Sequence, residues 1–251
     1  MSSRLAYKIY QLFWNGLDWL FPPYCGGCGK STIRWCRDCQ SNTEKILSPI
    51  CPVCGRTQPN DQICHTCDEL HPDFIACRSW AVYRGPIRTA IHKMKYRRDI
   101  GLGEILSRPM INLLNTLCWD IDLISPVPLN KKRYSERGYN QSSLLALPIA
   151  LSTRLQYHPS ALTRFRDTQS QVGLTREGRD KNIKGAFKAK HSIVNNKCVL
   201  VIDDVMTSGA TMNSCANALL DAGAKQVYGL TLAKAILSFR GEDINEDIGI
   251  L

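Results

Sequence analysis

Val199, Leu200, Val201 and Ile202 follow one another with no polar residue between them. An unbroken apolar run suits a central parallel strand covered on both faces, where a half-solvated strand would alternate. Asp203 and Asp204 close the run, and Thr207, Ser208, Gly209, Ala210 and Thr211 follow as a turn, with a helix predicted from near Thr211. A second strand is predicted in the stretch Asp122 to Leu129, DLISPVPL, ending in a Pro-punctuated turn, and a further helix is predicted from near Gln141. At the other end of the chain Leu5, Ile9, Leu12, Phe13, Leu17 and Leu20 recur at helical spacing, with Arg4, Lys8, Gln11 and Asn15 off that stripe. This predicts an amphipathic helix. Docking on the chain's own core is its expected use, with a membrane surface or a partner helix as the alternative.

The strand, acids and turn carry the most chemistry. Open α/β sheets bind ligands in the crevice outside the C-terminal ends of their strands, which is where Asp203 and Asp204 fall. Gly209 lets the backbone approach an anion, Thr207, Ser208 and Thr211 add hydroxyls, and a helix N-terminus favours negative charge. The carboxylates cannot face the same phosphate. They suit sugar hydroxyls, or a hydrated Mg2+ that offsets a polyphosphate. The residues therefore describe a sugar-phosphate site, and the plainer alternative is an ordinary strand, turn and helix with Thr as N-cap.

Four apolar residues, two acids and a Thr/Gly-rich turn in that order also resemble the PRPP-binding signature of type I phosphoribosyltransferases. The resemblance implies that Asp203 and Asp204 hold the ribose 2′ and 3′ hydroxyls while Thr207 to Thr211 cradle the 5′-phosphate. Purine-salvage members carry an Asp where this chain has Thr207, whose hydroxyl cannot act as acid or base near neutral pH. PRPP binding is thus better supported than transfer to a purine.

Length and charge narrow the picture. A chain of 251 residues, 44% apolar and 22% charged, has room for one sizeable α/β core and a small appended module. The net charge of +10 is uneven: 0 up to Ile75, +14 from Ala76 to Val199, and −4 from Leu200 onward. The basic middle third would attract polyanions such as PRPP, pyrophosphate or nucleic acid. Gln11, Asn15 and Asp18 interrupt the apolar N-terminus, so neither a secretory signal nor a membrane span is expected, and the expected location is cytoplasmic, with peripheral membrane association as a variant.

Eight of the twelve cysteines form four CxxC pairs: Cys25 and Cys28, Cys36 and Cys39, Cys51 and Cys54, Cys64 and Cys67. Two such knuckles can complete the tetrahedral S4 set that Zn2+ prefers, which predicts a double zinc ribbon with one or two structural Zn2+. Sequential, nested and alternating pairings of the knuckles all remain open on spacing. His65 and His71 read as surface or outer residues, and the lone Cys77, Cys118, Cys198 and Cys215 as small buried apolar side chains.

Beyond Leu129, the stretch Asn130-Lys131-Lys132-Arg133 and then Arg137-Gly138-Tyr139-Asn140-Gln141 reads as a basic loop whose Lys131, Arg133 and Arg137 could meet pyrophosphate. The PVPL to RGYNQ spacing resembles the ComF family of phosphoribosyltransferase-like competence proteins. Tyr83 to Tyr96, YRGPIRTAIHKMKY, is similar to that family's stretch preceding a Lys-Tyr pair. So are Arg164, Thr168, Gln169, Arg176, Arg179 and Asn182 ahead of Gly185-Ala186-Phe187, and the Leu20-Phe21-Pro22-Pro23 before Cys25.

The resemblance implies an α/β, Rossmann-like parallel sheet of the type I phosphoribosyltransferase kind behind an N-terminal zinc-ribbon module. The expected divisions are 1–24 for the helix, 25–75 for the double ribbon, 76–236 for the phosphoribosyltransferase domain and 237–251 for an acidic tail. Arg164, Arg176 and Arg179 would belong to a hood over the anion. The implied role is PRPP binding with Mg2+ in support of DNA uptake. Implied partners are single-stranded DNA and the helicase or membrane-pore proteins of competence. If the chain is an enzyme, the reaction is pentosyl transfer from PRPP. The alternatives are a non-catalytic single-stranded-DNA handling protein, with Tyr83, Tyr96, Tyr134 and Tyr139 among the cations as stacking platforms, or a zinc-ribbon adaptor.

Overall fold

The computed structural model describes residues 3–31, 33–165 and 185–235. Arg176, Arg179 and the acidic tail lie outside them. Helix α1 (Ser3–Leu20) precedes two short ribbon helices, α2 (Arg37–Ser41) and α3 (His65–Leu70). Strand β1 (Ala76–Val82), helices α4 (Gly85–Tyr96) and α5 (Leu102–Thr116), and β2 (Leu123–Pro126) follow. Next come α6 (Lys131–Arg137), α7 (Gln141–Thr153), β3 (Gln156–Tyr157) and the antiparallel pair β4 (Leu162–Arg164) and β5 (Phe187–Ala189). The short α8 (His191–Val194), β6 (Cys198–Met206), α9 (Ala210–Asp221) and β7 (Gln226–Lys234) complete the order.

Five strands form one sheet in the order β1-β7-β6-β2-β3, every pair parallel. This is the expected Rossmann-like architecture. Because β3 lies outward of β2 while β7 lies outward of β6 on the other side, the order reverses between β2 and β6. A crevice opens at their C-terminal ends. Alternate residues of β6 serve different layers: Leu200 and Ile202 pack with α4, α5 and α7, while Val199 and Val201 pack with α9.

The two cysteine-rich units are built into both layers. Cys25, Trp35, Cys36 and Cys39 pack with Ile87, Ala90 and Leu102 on one face of the sheet; Cys51, Cys54, Cys64, Cys67 and Phe74 pack with Cys77 and α9 on the other. The linker between them runs along β1, with Ile46 N–H donating to Trp80 O and Val82 N–H to Glu44 O. The ribbons thus clasp edge strand β1 and cover its free hydrogen-bonding side, which would otherwise invite another strand.

Four details depart from the sequence expectations. The basic segment after Leu129 is not an open loop but the two-turn α6, because Asn130 Oδ1 caps it by accepting from Arg133 N–H and Gly138, at φ +83°, ends it. Strand β6 continues through the acids to Met206, beyond the run that the apolar residues mark, while the helix expected from near Thr211 does follow, as α9 from Ala210. Cys118 is exposed, unlike the buried Cys77, Cys198 and Cys215. Helix α1 docks through the opposite face from its apolar stripe: Tyr7 joins the core and Gln11 Nε2 reaches Glu104 Oε1 at 3.5 Å, while Arg34 lies over the Trp14 ring and pairs with Asp18. Leu12 is left 67% exposed and Trp19 83%.

Candidate functional site

Consecutive residues of a strand point to opposite faces, so Asp203 and Asp204 diverge. Asp204 turns into the α4 layer, only 3% exposed, where its Oδ2 lies 3.0 Å from Lys95 Nζ. Burial alone would drive Lys95 toward neutrality, but the charge of Asp204, with Tyr83 and Asp203 beside it, outweighs that and raises its pKa. Asp203 Oδ1 accepts from Ser142 Oγ and from the Asp204 N–H, both at 2.9 Å. Burial first, and the neighbouring Asp204 charge second, push the Asp203 carboxyl up to about 7 despite Lys95. One cation thus faces two acids, and the surplus negative charge is what a divalent cation or sugar hydroxyls would offset. The residues fit Mg2+ on that ground.

The turn after β6 is shaped as expected. Gly209 takes φ +90° as N-cap of α9, and a Cβ there would lie 2.9 Å from Met206 Cε. Ser208 Oγ accepts from the Ala210 N–H at 3.4 Å. Thr207 and Thr211 line a small cavity beneath the turn together with Asp203 and Thr231.

Across the crevice, the Arg137-to-Gln141 segment is largely committed to structure. Arg137 Nη1 donates to Gln141 Oε1 at 2.7 Å and stacks 5.0 Å over the Tyr96 ring; Tyr139 Oη donates to Met94 O, and Asn140 Nδ2 to Val127 O. These contacts lash α6 to the end of β2 and to the last turn of α4. Arg137 and the Asp204–Lys95 pair therefore meet on adjacent residues of α4. Lys131 and Arg133 are exposed on α6, and among the described residues their side chains have no partner. They do not converge on the acids. Arg164 sits in β4 with its guanidinium 5.5 Å over the Phe187 ring.

Both cysteine tetrads assemble, and their pairing is sequential: Cys25, Cys28, Cys36 and Cys39 form one, Cys51, Cys54, Cys64 and Cys67 the other, with all sulfurs of each set within 4.8 Å of one another. The Cys25–Cys39 sulfurs are 3.6 Å apart and the Cys54–Cys64 sulfurs 3.7 Å. A tetrahedral Zn2+ with bonds of about 2.3 Å sets its sulfurs about 3.8 Å apart, so both sets fit the metal. N–H groups of Cys36 and Cys64 donate to Cys25 and Cys51 sulfur at 3.4 Å. Burial works against the Cys25 thiolate, yet the N–H groups of Cys28, Cys36 and Gly27 hold its pKa at about 6; a hydrogen bond from Cys67, then Lys234, holds Cys54 at about 4. Gly55, at φ +68°, ends the second set's first knuckle where a Cβ would lie 2.7 Å from Cys77 O. His65 and His71 stay on the surface.

Residues 16–68 match the double zinc ribbon domain family. Over 218 residues the chain is 30% identical to DNA utilization protein YhgH of Escherichia coli (strain K12), covering 84% of this chain and 90% of that protein. It is 28% identical over 215 residues to competence protein ComFC of Bacillus subtilis (strain 168), covering 82% and 86%. The chain belongs to the ComF family. Among solved structures, glutamine phosphoribosylpyrophosphate amidotransferase from B. subtilis, complexed with ADP and GMP, is similar at 18% identity and a TM-score of 0.38, over 53% of this chain and 27% of that one. The fold of this ComF chain is defined by its own sheet topology.

Sequence patterning missed three residues of the candidate site. Lys95 was visible only as part of a Lys-Tyr pair, yet its spacing from the buried Ile87, Ile91 and Met94 puts it beside the inward stripe of α4. Ser142 is hidden among the small residues opening α7. Lys234 closes the apolar strand β7, is 3% exposed, and donates to Cys54 O at 3.0 Å and Met206 Sδ at 3.3 Å. Its charge complements the second thiolate set and ties it to the residue before the turn. No described helix is long and apolar enough to cross a membrane.

Proposed function

We propose that this ComF chain binds PRPP, or a related phosphorylated ribose, as its Mg2+ complex in the crevice between β2 and β6. The observation that carries this reading is the Asp203–Asp204 pair, short of one compensating charge, directly ahead of the Gly209 turn at the end of the central strand. The ribose hydroxyls would take Asp203, backed from the α4 layer by the buried Asp204–Lys95 pair, the 5′-phosphate would take the Thr207 to Thr211 backbone, and the pyrophosphate the cations of α6. Bound Mg2+ would neutralise pyrophosphate charge. Thr207 provides no acid or base, so the proposal is binding in the service of DNA uptake or use rather than transfer to a purine. Calorimetry with Mg2+ and PRPP is expected to give binding that Asp203→Asn with Asp204→Asn weakens by about a hundredfold, the scale of two lost charge-assisted contacts. Equal affinity in wild type and variant would end the proposal.

A second reading, direct contact with single-stranded DNA, is favoured by the surface around α6. Tyr96 and Tyr134 are exposed beside Lys131, Lys132, Arg133, Arg97 and Arg98. Tyr83 and Tyr139 do not belong to it, being packed against the core and against α4. Tyr134→Ala is expected to cost about 1–3 kcal/mol of affinity for a single-stranded oligonucleotide, and binding to fall steeply with salt. Salt-independent binding, or none at low salt, would rule this reading out.

A further inference from the structure

A cleft of about 350 Å³ lies between the second cysteine-rich unit and the outer face of α9. Leu70 and Pro72 give it an apolar lining on one side, Ser214 and Asn217 of α9 a polar one on the other, and Arg56 adds a charged group to the lining. Among the described residues the Arg56 side chain has no partner, and Asn217 is exposed without one. The volume is at the lower end of ligand sites, and an apolar wall facing a few amides and hydroxyls suits a planar heterocycle with a polar edge. Residues 207–210, the turn proposed to hold the 5′-phosphate, also line the cleft. Neither Asp203 nor Asp204 lines it, and nor does any residue of α6.

That arrangement fixes how a ligand could reach the cleft. A ribose held on Asp203 points its C1 toward the side of α6, where the pyrophosphate is proposed to lie. Its 5′-phosphate points toward the turn, so a group in the cleft would be joined through that phosphate. We infer that the cleft is a nucleoside subsite: it takes the base of a second nucleoside linked to the bound ribose through the 5′-phosphate, by a phosphodiester or a pyrophosphate bond. The second zinc-ribbon unit then forms one wall of a binding site. This rests on the ribose-phosphate reading of Asp203 and the turn.

Isothermal titration of the zinc-loaded protein tests it with four probes: PRPP, ribose 5-phosphate, ADP-ribose, and the dinucleotide thymidylyl-(3′→5′)-thymidine. ADP-ribose or the dinucleotide is expected to bind about tenfold or more tighter than ribose 5-phosphate, the gain of one well-packed base. Whichever does so identifies the linkage. Asn217→Trp, on an exposed helix face, fills the cleft and is expected to abolish that gain while leaving PRPP affinity within about twofold. Arg56→Ala is expected to reduce the gain at least in part. If neither linked probe outbinds ribose 5-phosphate while PRPP binds, or if the gain survives Asn217→Trp, the subsite is overturned and the ribose-phosphate reading stands. If wild type binds no PRPP or ribose 5-phosphate, both fall.

Discussion

Stripping zinc from both cysteine tetrads is expected to lower the midpoint of thermal unfolding by about 10–20 °C. The metal supplies folding free energy in small thiolate modules, about 10–16 kcal/mol in isolated zinc-finger peptides. Here part of that is replaced by contact with the sheet, so we take about 5 kcal/mol as the net loss, at about 2–4 °C for each kcal/mol in a domain of this size. The loss reaches the sheet because the tetrads are not external. Cys25, Cys36 and Cys39 belong to the core under α4 and α5, and Cys51, Cys54, Cys64 and Cys67 to the core under α9. Without metal nothing joins the four sulfurs of each set, so the knuckles open, and Cys77 and Trp80 on β1 lose their cover. Metal analysis should give two Zn2+ per chain. Cys25→Ser and Cys51→Ser should each lose one and lower the melting midpoint. A chelated, demetallated protein that melts within 2 °C of the zinc form, an interval of about 1 kcal/mol or less, would refute the clasp.

What the sequence disclosed and what it withheld follow from the reach of each signal. The β6 run, the acids, the Gly209 turn and the cysteine spacing are local, and the fold uses them as local chemistry predicts. Periodicity, in contrast, says which residues share a face and not where that face points. In α1 the apolar stripe is exposed because Gln11 finds Glu104, and Trp14 and Asp18 find Arg34, partners 16 to 93 positions away, while Tyr7 joins the core. Knuckle pairing is open on spacing alone and is decided by the folded chain, which brings the four sulfurs of each sequential set within 4.8 Å of one another. The cations of α6 looked like a converging cluster, but a two-turn helix capped by Asn130 spreads them over its surface. Lys95 and Ser142 reach the acids from 109 and 61 residues away, and no sequence period could join them.

Lys95→Met is expected to destabilise the fold by about 3–5 kcal/mol at pH 8, the cost of leaving one member of a buried ion pair without its partner. The Asp204 side chain is 5% exposed and that of Lys95 20%, so water can do little to replace the lost ammonium. The pH dependence identifies the cause. The Lys95 pKa is raised in the folded protein, so its stabilisation is complete below about 10.5 and is lost only as pH rises beyond that, outside the range tested. Asp203, in contrast, has a folded pKa raised to about 7 from 3.8, so its contribution favours the folded state at low pH and declines as pH rises through 7. Removing Lys95 takes away the charge that opposes this rise. Asp203 should then stay protonated to higher pH, and the loss of stability should be smaller at pH 5 than at pH 8. Denaturant unfolding at the two pH values measures the difference, and the double variant Lys95→Met with Asp204→Asn should recover most of the loss, because the carboxylate that needed the cation is gone. An equal loss at both pH values, or a double variant no more stable than Lys95→Met alone, would show that Lys95 acts by packing its aliphatic stem rather than by pairing with Asp204.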